Sequence, residues 1–406
     1  MSKRQPGEFD AVIGGEITPP MGGMVLGGIQ SVKNRLKSAA AFDMRIVALE
    51  DAMNYGDEGL DLVIESLDDS SLVVQMYAAS LLGQSESKKA KQALINYNPW
   101  LIFTKLEDWK VKHFHPKIRL SNPINTAYIV QSKKQLQDLI QDYNCQSLKV
   151  LRCHIEDINL YRRKHSQQFF QDIAEAKDLL PNLKALFIGD TKEDSLMSSQ
   201  VYIYNILPIL KAYSNLELLK VRGKIDNENF LKLDFEKHKK ANIVNENLVI
   251  KKVFRHIHLK SFIIEAYDLS ESNINKIFNL SLPSLEYLEL QVYGRLDIDS
   301  WSSLLNKTFP NLLYLGIINS CNTNAILKAL IESPIIDTLK VLNLSQGDLR
   351  TLEDIDLLKS AKFNQLYTLN ISRNCLKQNM LEKLNYLECQ VIADSQESYR
   401  YYSLCE

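Results

Sequence analysis

Two histidine pairs at one-residue spacing, His113-x-His115 and His256-x-His258, are the densest metal-ligating groups in the sequence. On a strand, residues i and i+2 share a face, so each pair could present two imidazoles to one ion. Zinc takes three or four protein ligands, and neither pair has a third nearby, so ordinary structural histidines are expected. Cys153-His154 places a thiol beside an imidazole, the pairing that a nucleophile and its base require. Neighbouring strand residues point to opposite faces, which instead predicts a core Cys153 and an outward His154. The pairs Gly14-Gly15, Gly22-Gly23 and Gly27-Gly28 invite a phosphate-loop reading. They lack the lysine and the spacing that such a loop needs. No catalytic set is complete, so no enzyme activity, cofactor or metal is expected.

The elements that must position any site come from a repeat. The pattern L-x-x-L-x-[LIV] starts at Leu148, Leu183, Leu216, Leu259, Leu285, Leu312, Leu339 and Leu366, with Cys153 and Phe262 as variants. The last four starts are 27 residues apart, and the step before them is 26. That spacing lies in the leucine-rich-repeat range. The fourth and sixth positions of each copy are predicted to point inward from a short parallel strand, so Leu186, Leu219, Leu288, Leu315, Leu342 and Leu369 should be buried. One strand cannot bury such a row alone, and copies must stack, each followed by a returning helix such as the apolar runs at 323–331 and 353–358. Pro181, Pro283 and Pro310 punctuate the entry to a strand at one place in the repeat. Earlier steps of 35, 33 and 43 are irregular. The longest holds a basic insertion at 237–255, which should be a loop on one face.

Ahead of the repeat, 31–98 has helical spacing in Val32, Leu36, Ile46, Leu49, Leu60, Val63, Ile64 and Leu67. An acidic cap cluster at 68–71 precedes another helix containing Ala78 and Ala79. Residues 99–135 suggest short strands and turns, with 127–130 the clearest strand, and 133–142 reads as helix. The predicted organisation is a Gly-rich leader at 1–30, a helical module at 31–98, a strand/turn connector at 99–141, the repeat domain at 142–395 and a tail at 396–406. The expected fold class is α/β: a leucine-rich-repeat solenoid, with a curved parallel sheet and outer helices, preceded by a small all-α HEAT-like module.

The runs LPNLKALFIGD at 180–190, NLELLKVRG at 215–223 and QESYRYYSLCE at 396–406 resemble a bacterial leucine-rich-repeat family of uncharacterised function, often encoded beside WGR-domain proteins. The leader, with FDAVIGG at 9–15 and VLGG at 25–28, resembles a module that precedes varied repeat domains in cyanobacterial proteins and is often labelled HEAT-like. These resemblances imply a fold and carry over no catalytic residues.

Forty-eight basic and 49 acidic side chains leave a net charge of −1, so no global field favours nucleic acid or an anionic membrane. The longest uncharged stretch, 308–327, holds Pro310 and four asparagines and does not read as a membrane span. The N-terminus meets acids before any apolar run, so no signal peptide is expected. Six cysteines without a C-x-x-C pair fit reduced, mostly buried thiols and a cytoplasmic location.

Function must then come from outward strand positions. These run from Arg152 and His154 through Phe187, Lys220, Arg222, Glu265, Tyr287, Glu289, Tyr314 and Asn343 to Thr368 and Asn370. The sequence predicts a non-enzymatic scaffold whose concave face binds a protein partner through Arg152, Lys220, Arg222, Glu265, Tyr287, Glu289 and Tyr314. In that reading an exposed tyrosine pair anchors the partner and the flanking charges orient it. The alternative is a HEAT-type accessory factor or lyase for bilin pigment attachment, because HEAT-like modules occur in such lyases.

Overall fold

A computed structural model describes residues 28–38, 42–69, most of 72–90, 110–154, 163–189, 201–232, 254–292 and 296–398, apart from isolated positions within them. The glycine pairs of the leader, except Gly28, and most of the basic insertion lie outside the described residues. The chain divides into two compact units, 1–101 and 102–406.

In the first unit, helices α1 (Gly28–Ser38), α2 (Phe42–Ala52), α3 (Gly56–Glu65) and α4 (Leu72–Gly83) occur as the apolar spacing predicts. Val32, Leu49, Val63, Ala78 and Leu82 have no exposed surface. Around this core Arg35 pairs with Asp51 at 2.7 Å and Arg45 with Asp69 at 3.1 Å.

The second unit is built on one parallel sheet. Strands β1 (Lys110–His113), β2 (Thr126–Val130), β3 (Val150–Cys153) and β4 (Ala185–Ile188) begin it. A short β5 (Tyr202–Ile203) pairs only with β6 (Leu218–Ile225). Then follow β7 (Ser261–Ala266), β8 (Tyr287–Gln291), β9 (Tyr314–Ile318), β10 (Val341–Asn343), β11 (Thr368–Asn370) and β12 (Gln390–Ile392). Apart from β5, the strands pair strictly in sequence order. Each crossover therefore returns behind the sheet by helix or turn. The returning helices include α6 (Arg163–Glu175), α8 (Glu271–Phe278), α9 (Ile298–Leu305), α10 (Thr323–Ile331) and α11 (Leu352–Leu358). Two connector strands extend the array ahead of the first clear repeat, with helix α5 (Lys133–Leu139) after β2. Strands stack about 4.8 Å apart while helices need about 10 Å, so the sheet curves with the helices outside.

The register is the predicted one. Leu151, Leu186, Leu219, Phe262, Leu288, Leu315, Leu342 and Leu369 align across successive strands, and all are fully buried. Together with Trp301 on α9 and Phe169 and Phe170 on α6, they belong to one core that runs from Phe114 to Leu384. In most repeats a polar side chain at the residue before the first leucine ties one repeat to the last. Asn182 Nδ2 donates to Gln146 O at 2.7 Å, Ser284 Oγ to Ile257 O at 2.6 Å, and Asn311 Nδ2 to Pro283 O at 2.8 Å. The turns after the last strands close in the left-handed region, at Asn319, Gln346, Arg373 and Ser395.

Cys153 is in the core, as the strand alternation requires, and His154 is largely buried rather than outward-exposed. Cys145 is also buried, but Cys321, Cys375 and Cys389 are only half-buried, against the expectation that the thiols are mostly enclosed. Cys321 and Cys375 sit in the turns after β9 and β11, and Cys389 just before the edge strand β12. Among the described residues no helix is long and apolar enough to cross a membrane.

Candidate concave-face site

Two rows of side chains face away from the helices. One contains Val150, Ala185, Leu218, Ser261, Tyr287, Tyr314, Val341 and Thr368. The next contains Arg152, Phe187, Lys220, Ile263, Glu289, Gly316, Asn343 and Asn370. The alternation of β-strands places both rows opposite the leucine core.

Tyr287 and Tyr314 are cross-strand partners, and their rings stack with centroids 3.8 Å apart and planes 12° from parallel. Both phenols donate to one carboxylate oxygen, Glu289 Oε2, at 2.8 Å from Tyr287 and 2.6 Å from Tyr314. Asn343 Nδ2 in turn donates to Tyr314 Oη at 2.9 Å. The room for this arrangement comes from Gly316, which lies between Glu289 and Asn343 in the register. A Cβ there would stand 2.9 Å from Glu289 Cγ and 3.2 Å from Glu289 Oε2.

Outward register predicts exposed rings, but each tyrosine is only 5% exposed. Stacking covers one face of each ring, and the carboxylate takes both hydroxyls. Burial, followed by the adjacent Glu289 charge, raises both phenol pKa values well above the usual range. Burial also pushes the Glu289 carboxyl above the ordinary carboxylate range. Glu265 adds to this, while the tyrosine hydroxyls and Lys220 oppose it. The tyrosines thus form a fixed platform.

The flanking charges are paired with one another. Lys220 Nζ lies 2.7 Å from Glu265 Oε1, and Arg222 Nε lies 3.6 Å from Glu265 Oε2. Arg222 and Glu265 are direct register partners, so the sheet itself sets this contact. All three side chains keep about a fifth of their surface exposed. Arg152, opposite Phe187 in the register, is half-buried. The structure therefore gathers Lys220, Arg222 and Glu265 into one ionic group and Tyr287, Glu289 and Tyr314 into a second group. Arg152 stands two strands before Lys220, with β4 between them.

Two features escaped the sequence reading. The early concave face carries an apolar cluster of Ala127, Val150, Ala185, Phe187 and Leu218, all buried. The sequence reading named the outward third position where it is Tyr287, Tyr314 or Thr368 and passed over the apolar residues there, Val150, Ala185 and Leu218. The second feature is a charge ladder at the strand entries. Glu217 bridges Lys184 at 3.0 Å and Lys260 at 3.2 Å. Burial opposes its ionisation, but the two ammonium groups prevail and hold its carboxyl below the ordinary range. These residues follow the first leucine of consecutive copies, so their alternating signs were available in the sequence.

The histidine pairs have local roles. His256 Nδ1 accepts from Leu259 N–H at 3.1 Å, so its other nitrogen donates to Tyr213 O at 2.9 Å. Burial holds this imidazole's pKa below the usual value, which favours that neutral form. His258 Nδ1 donates to Ser214 O at 2.9 Å and occupies the position that Asn182, Ser284 and Asn311 hold in other repeats. His113 and His115 are exposed, and among the described residues no group of three potential ligands could hold a metal ion.

No protein-family model matches the chain, and no curated protein matches it. Among solved structures, a protein from Bacteroides fragilis has a TM-score of 0.50 and 23% identity, covering 67% of this chain and 74% of its own. An internalin from Listeria monocytogenes gives 0.33 and 16%, covering 70% of this chain and 74% of that one. The yeast Rad7–Elc1 complex gives 0.33 and 14%, with 90% and 96% covered. The Bacteroides likeness shows a shared fold and extends to no activity.

Proposed function

We propose that this protein is a non-enzymatic scaffold that binds a protein partner on the concave face of its leucine-rich-repeat sheet. The observation that carries the reading is the preorganised polar surface across β6–β9. There the Lys220–Glu265–Arg222 group and the Tyr287–Glu289–Tyr314 group are held side by side on consecutive strands. A surface whose side chains are already fixed loses little conformational entropy on binding. Partly exposed ion pairs can exchange their partners with a docking protein, which favours orientation and rate of encounter. The paired tyrosines act in this reading as a rigid floor, and Arg152, Lys220, Arg222, Glu265 and Glu289 supply the polar contacts.

We read helices α1–α4 as a HEAT-type module joined to this scaffold, on the basis of their apolar spacing and the small Ala78 and Ala79. We also propose that the chain works beside WGR-domain proteins, as the resemblance of its repeats and tail implies.

The test compares proteins retained by the intact chain with those retained by the Arg152→Glu/Lys220→Glu variant, using Lys177→Glu behind the sheet as control. Selective loss of one protein with the concave variant, reproduced with that protein purified, supports the reading. Equal retention by all three chains overturns it.

A further inference from the structure

A cleft of about 440 Å³ lies between the end of helix α7 (Leu207–Ala212) and the segment 254–258 that leads into β7. It is distinct from the concave face, since its walls belong to the returning helix and the strand entry. Leu210, Phe254 and Ile257 give it an apolar surface, and Ile257 is 49% exposed. Lys211, Arg255 and His258 also line it, all exposed, and no acidic residue does so among the described residues. Elsewhere on this sheet basic side chains meet carboxylates, as Lys184, Lys220 and Lys260 do. Neither Lys211 nor Arg255 forms an ion pair among the described residues.

The histidine here is the second observation. Other repeats place Asn, Ser, Thr or Gln at the inter-repeat tie, whereas this one uses His258. A side-chain amide or hydroxyl serves the tie alone. An imidazole serves it with Nδ1–H and also presents its ring to the cleft. The locked His256 behind it fixes the backbone that carries Arg255 and His258.

We propose that this cleft binds a small anionic ligand, an oxyanion attached to an apolar body. Lys211 and Arg255 hold the oxyanion, and Leu210, Phe254, Ile257 and the ring of His258 hold the body. Its size falls within the range of small-molecule sites, about 300–1,000 Å³. Partial enclosure by apolar walls strengthens the attraction between the cations and the anion relative to open water.

The probe is 8-anilinonaphthalene-1-sulfonate, a sulfonate on an aromatic body, titrated into the intact protein and followed by fluorescence. Octyl phosphate, octanoate and octanol are then added as competitors of equal chain length and different head group. Saturable binding is expected. Octyl phosphate or octanoate should displace the probe, and octanol should not; the better of the two identifies the head group. In Lys211→Glu/Arg255→Glu the dissociation constant should rise about tenfold or more, equivalent to about 1.4 kcal/mol. Both side chains are exposed, so the melting temperature should stay unchanged. Should this variant melt early, Lys211→Gln/Arg255→Gln removes the charge without reversing it and replaces it in the titration. Probe affinity unchanged by the folded charge variant, or displacement by octanol as effective as by the two anions, overturns the proposal.

Discussion

Replacing Gly316 with alanine tests the concave platform at its tightest point. The new Cβ would meet Glu289 Cγ at 2.9 Å, Tyr314 Cε1 at 3.1 Å and Glu289 Oε2 at 3.2 Å. Ordinary contacts begin near 3.4 Å, so the Glu289 side chain must give way. Its carboxylate holds both tyrosine hydroxyls, so any shift loosens the bonds at 2.6 and 2.8 Å. Overpacking of this kind costs about 1–3 kcal/mol. The gain from restricting the unfolded chain offsets about 0.4–1 kcal/mol of it. The expected net destabilisation is about 1–2 kcal/mol, read from urea unfolding by tryptophan emission, to which Trp301, fully buried on α9, contributes. The decisive measurement is a double-mutant cycle. In a Glu289→Ala background two of the three close contacts are gone and only the Tyr314 ring at 3.1 Å remains, so the cost of Gly316→Ala should fall. An equal cost in both backgrounds would refute the claim that this glycine exists to seat Glu289.

Leu315→Ala should destabilise by about 2–5 kcal/mol in the same unfolding assay, because it opens a cavity in the continuous core. A cost below about 1 kcal/mol would contradict the tight packing. Glu289 carries its raised carboxyl pKa only in the folded state, so between the ordinary and raised values the folded chain binds more protons than the unfolded chain. Its contribution to stability therefore falls as pH rises through that window. The stability of Glu289→Gln relative to the native chain should improve as pH rises above the ordinary carboxylate value, about 4.3, and a flat difference would exclude this coupling. Asn374 is fully buried; its amide donates to Leu344 O and Ile371 O, and its carbonyl accepts from Leu349 N–H. Asn374→Ala should cost about 1–3 kcal/mol for each group left without a partner, with faster hydrogen exchange at Leu349. Retained protection there would show that another group replaces the side chain.

Much of the molecule is determined by the sequence alone because the repeat is a local signal. The 27-residue step and the fourth-position leucines specify strand, register and core face together, and Leu186 to Leu369 obey them without exception. Helices α1–α4 and the strand at 126–130 were legible for the same reason, since apolar spacing alone separates period 3.6 from period 2. The alignment of Tyr287 with Tyr314 also followed from counting. Their burial did not. It depends on Glu289, in the space left by Gly316, taking the hydroxyl of Tyr314 on the next strand as well as that of Tyr287 on its own, and no local pattern encodes the contact between strands. The same holds for the flanking charges. The sequence places Lys220, Arg222 and Glu265 on one face, but only side-chain geometry decides that they satisfy one another. The cleft beside His258 lies further still from local reading, because its walls come from a helix end and a strand entry more than forty residues apart. Periodicity fixes which face a residue occupies; the distances between side chains on that face decide whether it is a floor, a pair or an open site.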